Sequence, residues 1–245
     1  LSRPFGFFAS PLDYPYLVAR IAALNAASDA FAVGSAPIAA LAIITMPIGK
    51  PPAQEELLYQ LLAGSLEEFR GMGATLVGGH TIEGPQLAIG FTVVADQGEQ
   101  LPQTKDRLQV GDRLLLTKPL GSGVLLAAHM RAECRAEWME SLLQSMLASN
   151  QAAARLAEEF GVNGLTDVTG FGLAGHLLEM LSAANLGATL RLAEIPLLAG
   201  TADLIDQGFE STLAPANRAA EAEINSTASL RDNPRYHALF DPQTS

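Results

Sequence analysis

At 245 residues, 49% of them hydrophobic, the chain can bury one large core or two modest ones. Its formal net charge of −11, from 26 acidic against 15 basic residues, disfavours nucleic acid and suits ligands that arrive with a cation. A single cysteine excludes an intrachain disulfide framework, and the longest apolar stretch, residues 37–47, is too short to span a bilayer, so the expected setting is cytoplasmic, with no membrane partner.

Phe5, Phe7, Phe8, Tyr14 and Tyr16 cluster near the start and read as packing or a dimer contact, because basic residues are too sparse there for a base-stacking platform. A helix is predicted over about 14–31 from the stripe Leu17, Ile21 and Leu24, and it places Asn25 and Asp29 on one face, four residues apart. A strand (about 37–46), a helix (about 53–72, with Leu57, Leu58, Leu61, Leu62 and Phe69 as its apolar face) and two strands (about 74–78 and 86–95) follow. Between those strands, Gly78-Gly79-His80-Thr81 reads as a glycine turn able to run its backbone along a phosphate chain, or simply as a strand connection. His80 has no Cys or His neighbour at ligand spacing, which argues against zinc. The polar run 97–103 and Val110-Gly111-Asp112-Arg113 set a domain boundary near 108, giving 1–108 and 109–245.

The second half is predicted to open with a strand over 114–117, followed by Lys118-Pro119-Leu120-Gly121-Ser122-Gly123 leading into a helix. Lys118 and the glycines can meet a phosphate, although a helix start needs only the glycines and Ser122. Cys134 lies between Arg131 and Arg135, which would lower its pKa, but no base adjoins it. Helices over 137–147 and 150–160 precede the most informative run, Thr166-Asp167-Val168-Thr169-Gly170-Phe171-Gly172-Leu173-Ala174-Gly175-His176. A carboxylate at a helix start can hold a metal while freed N–H groups face an anion; alternatively Asp167 or Thr169 caps the helix and the glycines serve packing. Leu173, Leu177, Leu178 and Leu181 carry the helix onward, and His176 reads as meeting a buried hydrogen bond. A strand over 188–192, a helix over 200–207 and an Asn/Pro-punctuated stretch over 214–234 complete the order, without internal repeats.

Taken together, NAASDAFAVG, GGHTI, LTKPLGSG, TDVTGFGLAGHL and DPQTS, in that order from about Phe7 to Ser245, resemble the selenophosphate synthetase (selenide, water dikinase) family of the aminoimidazole ribonucleotide synthetase-like superfamily. The resemblance implies an α/β (α+β) fold of two domains: an N-terminal sheet domain that dimerises and a C-terminal α+β domain. It implies a phosphotransferase that converts ATP, selenide and water to selenophosphate, AMP and phosphate. Magnesium ions bridging the ATP phosphates fall on Asp29 and Asp167; the nucleotide contact falls on Gly79, His80 and Thr81, with Gly78 shaping the turn, and Asp29 shares that cleft. Hard oxygen ligands on bridging phosphates are what magnesium prefers.

The family's opening segment, with a catalytic cysteine or selenocysteine, a lysine and a further metal-binding aspartate, is not within this chain, so no catalytic residue is assigned. Gly6 stands where the family places an aspartate, in a string that contacts the nucleotide, and Gly6 has no side chain to bind a metal; the family continues past Ser245 through two glycines into an apolar strand. The chain is therefore expected to be a partial domain, inactive alone. Two rivals follow: another ATP-using enzyme of the superfamily, against which DPQTS and TDVTGFG argue, and a degenerate non-catalytic domain of a larger fusion protein, for which Gly6 argues.

Overall fold

A computed structural model describes residues 12–98, 103–226 and 228–244, and the backbone of 5–9. The elements run β1 (Phe5–Ala9), α1 (Pro15–Phe31), β2 (Ala36–Pro47), α2 (Pro51–Gly71), β3 (Thr75–Gly84) and β4 (Ala88–Asp96). Eight further α-helices follow among the described residues, alongside three short 3-10 helices: α3 (Ser122–Met130), α4 (Ala136–Met146), α5 (Gln151–Glu159), α6 (Gly172–Ala184), α7 (Thr201–Asp206), α8 (Ala214–Asn217), α9 (Ala228–Arg231) and α10 (Pro234–Ala238). The chain divides into two compact units, Leu1–Gln103 with Leu147–Phe160, and Thr104–Met146 with Gly161–Ser245. Helix α5 thus belongs with the first unit, although it lies far along the chain.

The first unit is a four-stranded sheet, ordered β1-β4-β2-β3, covered by α1 and α2. Pro15 opens α1 with its φ already set for a helix, and the alanines that follow cost no side-chain entropy. Val18, Ile21, Leu24, Ala27 and Phe31 are all buried, and so are the alanines between them, so most of α1 is interior, with Asp29 exposed and Arg20 and Asn25 half-buried. At Gly64 a Cβ would come within 2.2 Å of the Tyr16 carbonyl oxygen, which makes this glycine the closest approach of α2 to α1. Phe69 of α2 meets Phe91 of β4 edge to face at 5.0 Å. From Ala40 onward β2 alternates: Ala40, Ala42, Ile44 and Met46 are buried and Leu41 is exposed on the opposite face, while Ile38, also exposed, sits at a register shift against β4. β2 pairs antiparallel with β4 and parallel with β3, which forms an edge of the sheet.

In the second unit, the stretches predicted as strands, 114–117 and 188–192, build no ladder, and Leu192 opens a short 3-10 turn instead; a single bridge, Leu120 with Leu197, is present among the described residues. A strand needs a neighbour at about 4.8 Å to satisfy its backbone, and sequence alternation alone does not supply one. The core here gathers Leu120, Ala174, Ile195, Tyr236, Leu239 and Phe240, with Tyr236 edge-on to Phe240 at 5.4 Å. Asn185, in the left-handed conformation, closes α6. Among the described residues, no helix is long and apolar enough to cross a membrane. Of the aromatic cluster near the start, the side chains of Phe5, Phe7 and Phe8 lie outside the described residues; Tyr14 is exposed.

Candidate functional site

The Gly78-Gly79-His80-Thr81 segment is not a turn. It lies inside β3, in parallel register with β2: Gly78 opposite Leu41, Gly79 opposite Ala42, His80 opposite Ile43 and Thr81 opposite Ile44. Just before it, Leu76 faces Ala40 while Gly78 faces Leu41, so Val77 is an extra residue, a β-bulge. The two glycines differ. A Cβ on Gly79 would sit 2.2 Å from the Ala42 carbonyl oxygen, so the fold demands glycine there, whereas one on Gly78 would make an ordinary 3.5 Å contact with Leu41. His80 and Thr81 are exposed. Residues 76–81 form one wall of a shallow cleft of about 390 Å³, floored by Ala42 and Ile44 and closed opposite by Leu58 and Leu62 of α2. Asp29 is exposed near the end of α1, one turn after half-buried Asn25; Ser28 beside it accepts a 2.9 Å hydrogen bond from Asn150 at the start of α5.

In the second unit, residues 166–172 form a loop held from three sides. His176, one turn into α6 and buried, accepts from the Thr169 N–H through Nε2 at 3.1 Å and lies 3.2 Å from the Thr169 hydroxyl. Accepting there requires a neutral ring, and burial pushes the His176 pKa down, with the nearby Asp167 carboxylate opposing. The Thr169 carbonyl takes N–H donors from Gly172 at 3.1 Å and from Gln243 at 2.9 Å. The Gly170 carbonyl takes the Asn217 amide at 2.8 Å, and that amide also donates to the Phe240 carbonyl at 2.9 Å. Gly172 has φ +70° and is wedged against the backbone of 239–241, while a Cβ on Gly170 would meet open space.

The helix start is less open to an anion than the sequence suggests, because the Ala174 N–H is already taken by the Leu239 carbonyl at 2.9 Å. The start of α3 is occupied in the same way. Gln243 Oε1 accepts from the N–H groups of Gly121 (3.0 Å) and Ser122 (3.2 Å), and Asp241 Oδ2 accepts from Gly123 N–H at 3.0 Å. The side chains of Asp241 and Gln243 thus occupy the N–H groups that a phosphate would need, which makes the glycines of LTKPLGSG structural. Lys118 Nζ is buried without a hydrogen-bond partner, and desolvation brings its pKa down to about 8. Cys134 goes against the expectation drawn from its arginines: burial raises its pKa, which makes it a poor nucleophile.

Two buried polar atoms at this loop have no hydrogen-bond partner, His176 Nδ1 and a carboxylate oxygen, Asp167 Oδ2. A buried carboxylate oxygen left without a donor is costly, and a hard cation is what relieves it. Among the described residues, no group of three or more His, Cys, Asp or Glu side chains could encircle a metal. The donor set therefore fits a magnesium ion that draws its other ligands from a bound phosphate, and does not fit a fully protein-caged ion.

Sequence reasoning placed Asp167 and His176 in this loop but missed Asn217 and Gln243 as residues that hold it, and Asp241 as the carboxylate that ties Gln243 to the α3 start. Their partners in this loop and at the α3 start lie 47 to 122 positions away in the chain, so periodicity could not reveal them. The one available signal was a carboxylate and an amide directly after the apolar run Ala238-Leu239-Phe240, a place where polar groups need partners.

The chain matches two family models: the N-terminal domain of AIR synthase related proteins over residues 2–96 and their C-terminal domain over 109–213. It is 38% identical over 239 residues to a selenide, water dikinase of Shewanella sp. (strain MR-7), covering 98% of this chain and 66% of the relative. It is 40% identical over 240 residues to a selenide, water dikinase of Nitratidesulfovibrio vulgaris (strain DP4), covering 98% and 68%. It thus spans about two thirds of the length of these curated relatives. In fold it is similar to a thiamine-monophosphate kinase from Stenotrophomonas maltophilia K279a, with TM-score 0.73 and 17% identity over 99% of this chain and 72% of that one. It is similar also to the hydrogenase maturation protein HypE in complex with ATP, with TM-score 0.68 and 17% identity over 99% and 76%. With both domains matched in order and identity near 40% to dikinases across nearly its whole length, the chain belongs to the selenide, water dikinase family within the AIR synthase related proteins.

Proposed function

We propose that this chain is the nucleotide- and metal-binding part of an enzyme that makes selenophosphate from ATP, selenide and water, releasing AMP and phosphate. The observation that carries the reading is Asp167 Oδ2, buried and unpartnered in a loop that His176, Asn217 and Gln243 hold by hydrogen bonds. Asp167 and Asp29 would hold magnesium on the ATP phosphates. That ion, once bound, would offset the charge that builds on the transferring phosphoryl group. Gly78, Gly79, His80 and Thr81 would position the nucleotide along β3, where the exposed His80 and Thr81 offer a ring and a hydroxyl beside an apolar cleft. Gly170, which neither φ nor packing requires to be glycine, would admit the close approach of a ligand to the backbone.

Dimerisation through the first unit is part of the same reading. Ile38 and Leu41 of β2 and Val77 and Ile82 of the edge strand β3 are exposed, and a second copy covering that face would remove both the apolar surface and the open edge. The test is calorimetric titration of ATP with magnesium into the chain, beside Asp167→Ala and a metal-free control. Magnesium-dependent binding that disappears in the variant is expected, and binding unchanged by the substitution would overturn the reading. In an active preparation, AMP rather than ADP as the product separates a dikinase from kinases of the same fold.

A further inference from the structure

We propose that Gln243, with Asn217, is a positioning residue: together they bolt the segment 240–243 to the loop 166–172 and so hold Asp167 in its ligand-binding arrangement. The inference rests on Asp167 being the ligand-binding carboxylate, and its argument is the hydrogen-bond pattern. Both side-chain groups of Gln243 and its backbone N–H are used. Its Oε1 accepts from Gly121 N–H, Ser122 N–H and the Ser122 hydroxyl at 3.0 to 3.2 Å. Its Nε2 donates to the Asp241 carbonyl at 2.8 Å and to Asp241 Oδ2 at 2.9 Å. Its backbone N–H reaches the Thr169 carbonyl at 2.9 Å, two residues from Asp167. The side chain fixes where residue 243 sits, and its N–H passes that position on to the loop.

Asn217 makes the second bolt by donating one amide group to both Gly170 and Phe240. A merely stabilising cap of α3 would need an acceptor only. The amide of Gln243 both accepts and donates, joining the α3 start to a carboxylate that is 1% exposed, and a glutamate could not donate to Asp241. Neither bolt uses Asp167, so its Oδ2 stays available.

The test compares Gln243→Ala, Asn217→Ala and, as a control for lost stability alone, Leu142→Ala, a fully buried core residue of the same unit. Two readouts are taken on each chain: hydrogen exchange of the amides in 166–172 by mass spectrometry, and the affinity of ATP with manganese, a spin-active stand-in for magnesium, by electron paramagnetic resonance. Each bolt variant is expected to raise exchange in 166–172 at least tenfold and to weaken manganese–ATP binding about tenfold, while Leu142→Ala loses thermal stability with affinity kept. Unchanged exchange at 166–172 in both bolt variants overturns the proposal, and so does raised exchange with affinity unchanged. Asp167→Ala, run alongside, reports on the underlying reading: if it binds manganese–ATP like the parent, the ligand-binding assignment has failed, a different result from failure of the bolts.

Discussion

The two glycine motifs of this protein solve opposite problems. In the first unit, Gly79 exists because its strand passes against the Ala42 carbonyl of β2, and its neighbours His80 and Thr81 are exposed. In the second, the glycines sit in a loop with bolts from α6, α8 and residues 240–243, and the reactive-looking carboxylate is half-buried. Regular backbone pairing holds the first motif, and side-chain to backbone bonds hold the second. A glycine is therefore evidence of ligand approach only after packing and φ have been accounted for, which leaves Gly78 and Gly170 as the informative pair.

The contrast is most easily broken at Gly79. Gly79→Ala drives a methyl into the Ala42 carbonyl and should cost about 3 kcal/mol, read as a lowered urea midpoint; a cost below about 1 kcal/mol would mean that the strand relaxes freely.

Asp241 tests the bolted side. Burial pushes its carboxyl up to about 7, from 3.8 when unfolded. Between about pH 4 and 7 the folded chain thus keeps a proton that the unfolded chain has released. The stability gained is fully present below pH 4 and is lost as pH rises through 7. Asp241→Asn should remove this slope, on the order of 1 kcal/mol per pH unit, from urea-unfolding profiles taken between pH 5 and 8. Parallel profiles for variant and parent would count against a protonated Asp241.

Gly170→Ala sharpens the contrast with Gly79, because it should leave stability within about 0.5 kcal/mol while weakening magnesium–ATP binding roughly tenfold. A loss of stability with binding kept would assign this glycine to the fold. The smallest effect is expected at exposed His80: His80→Ala should leave the melting temperature in place and weaken nucleotide binding by about threefold, seen by calorimetry. No change in affinity would remove His80 from the nucleotide contact.

The helices were legible where an apolar stripe recurs at the helical period. Leu17, Ile21 and Leu24 led to α1, and Leu57, Leu58, Leu61, Leu62 and Phe69 led to α2, each within a few residues of its ends. β2 was legible too, through its unbroken apolar run. β3 was cut short because glycine is a poor strand former, and only its register with β2 shows why two of them stand there. Residues 114–117 and 188–192 have strand-like composition yet no ladder, since a ladder depends on a neighbour that local sequence does not encode. Of the candidate site, Asp167 and the hydrogen-bonding role of His176 were readable from the motif. The bolts were not, because each joins residues brought together only by the fold.

The bonds between Gln243 and the start of α3 also set a timetable. Ser122 and Gln243 are 121 positions apart, so at roughly 5–20 residues per second a ribosome needs about 6 to 24 s to deliver the second after the first. Through that interval the N–H groups of 121–123 are met by water, while every strand of the first unit's sheet has already been made. On the ribosome the two units would therefore mature at different moments, the sheet early and the bolted loop only with residue 243.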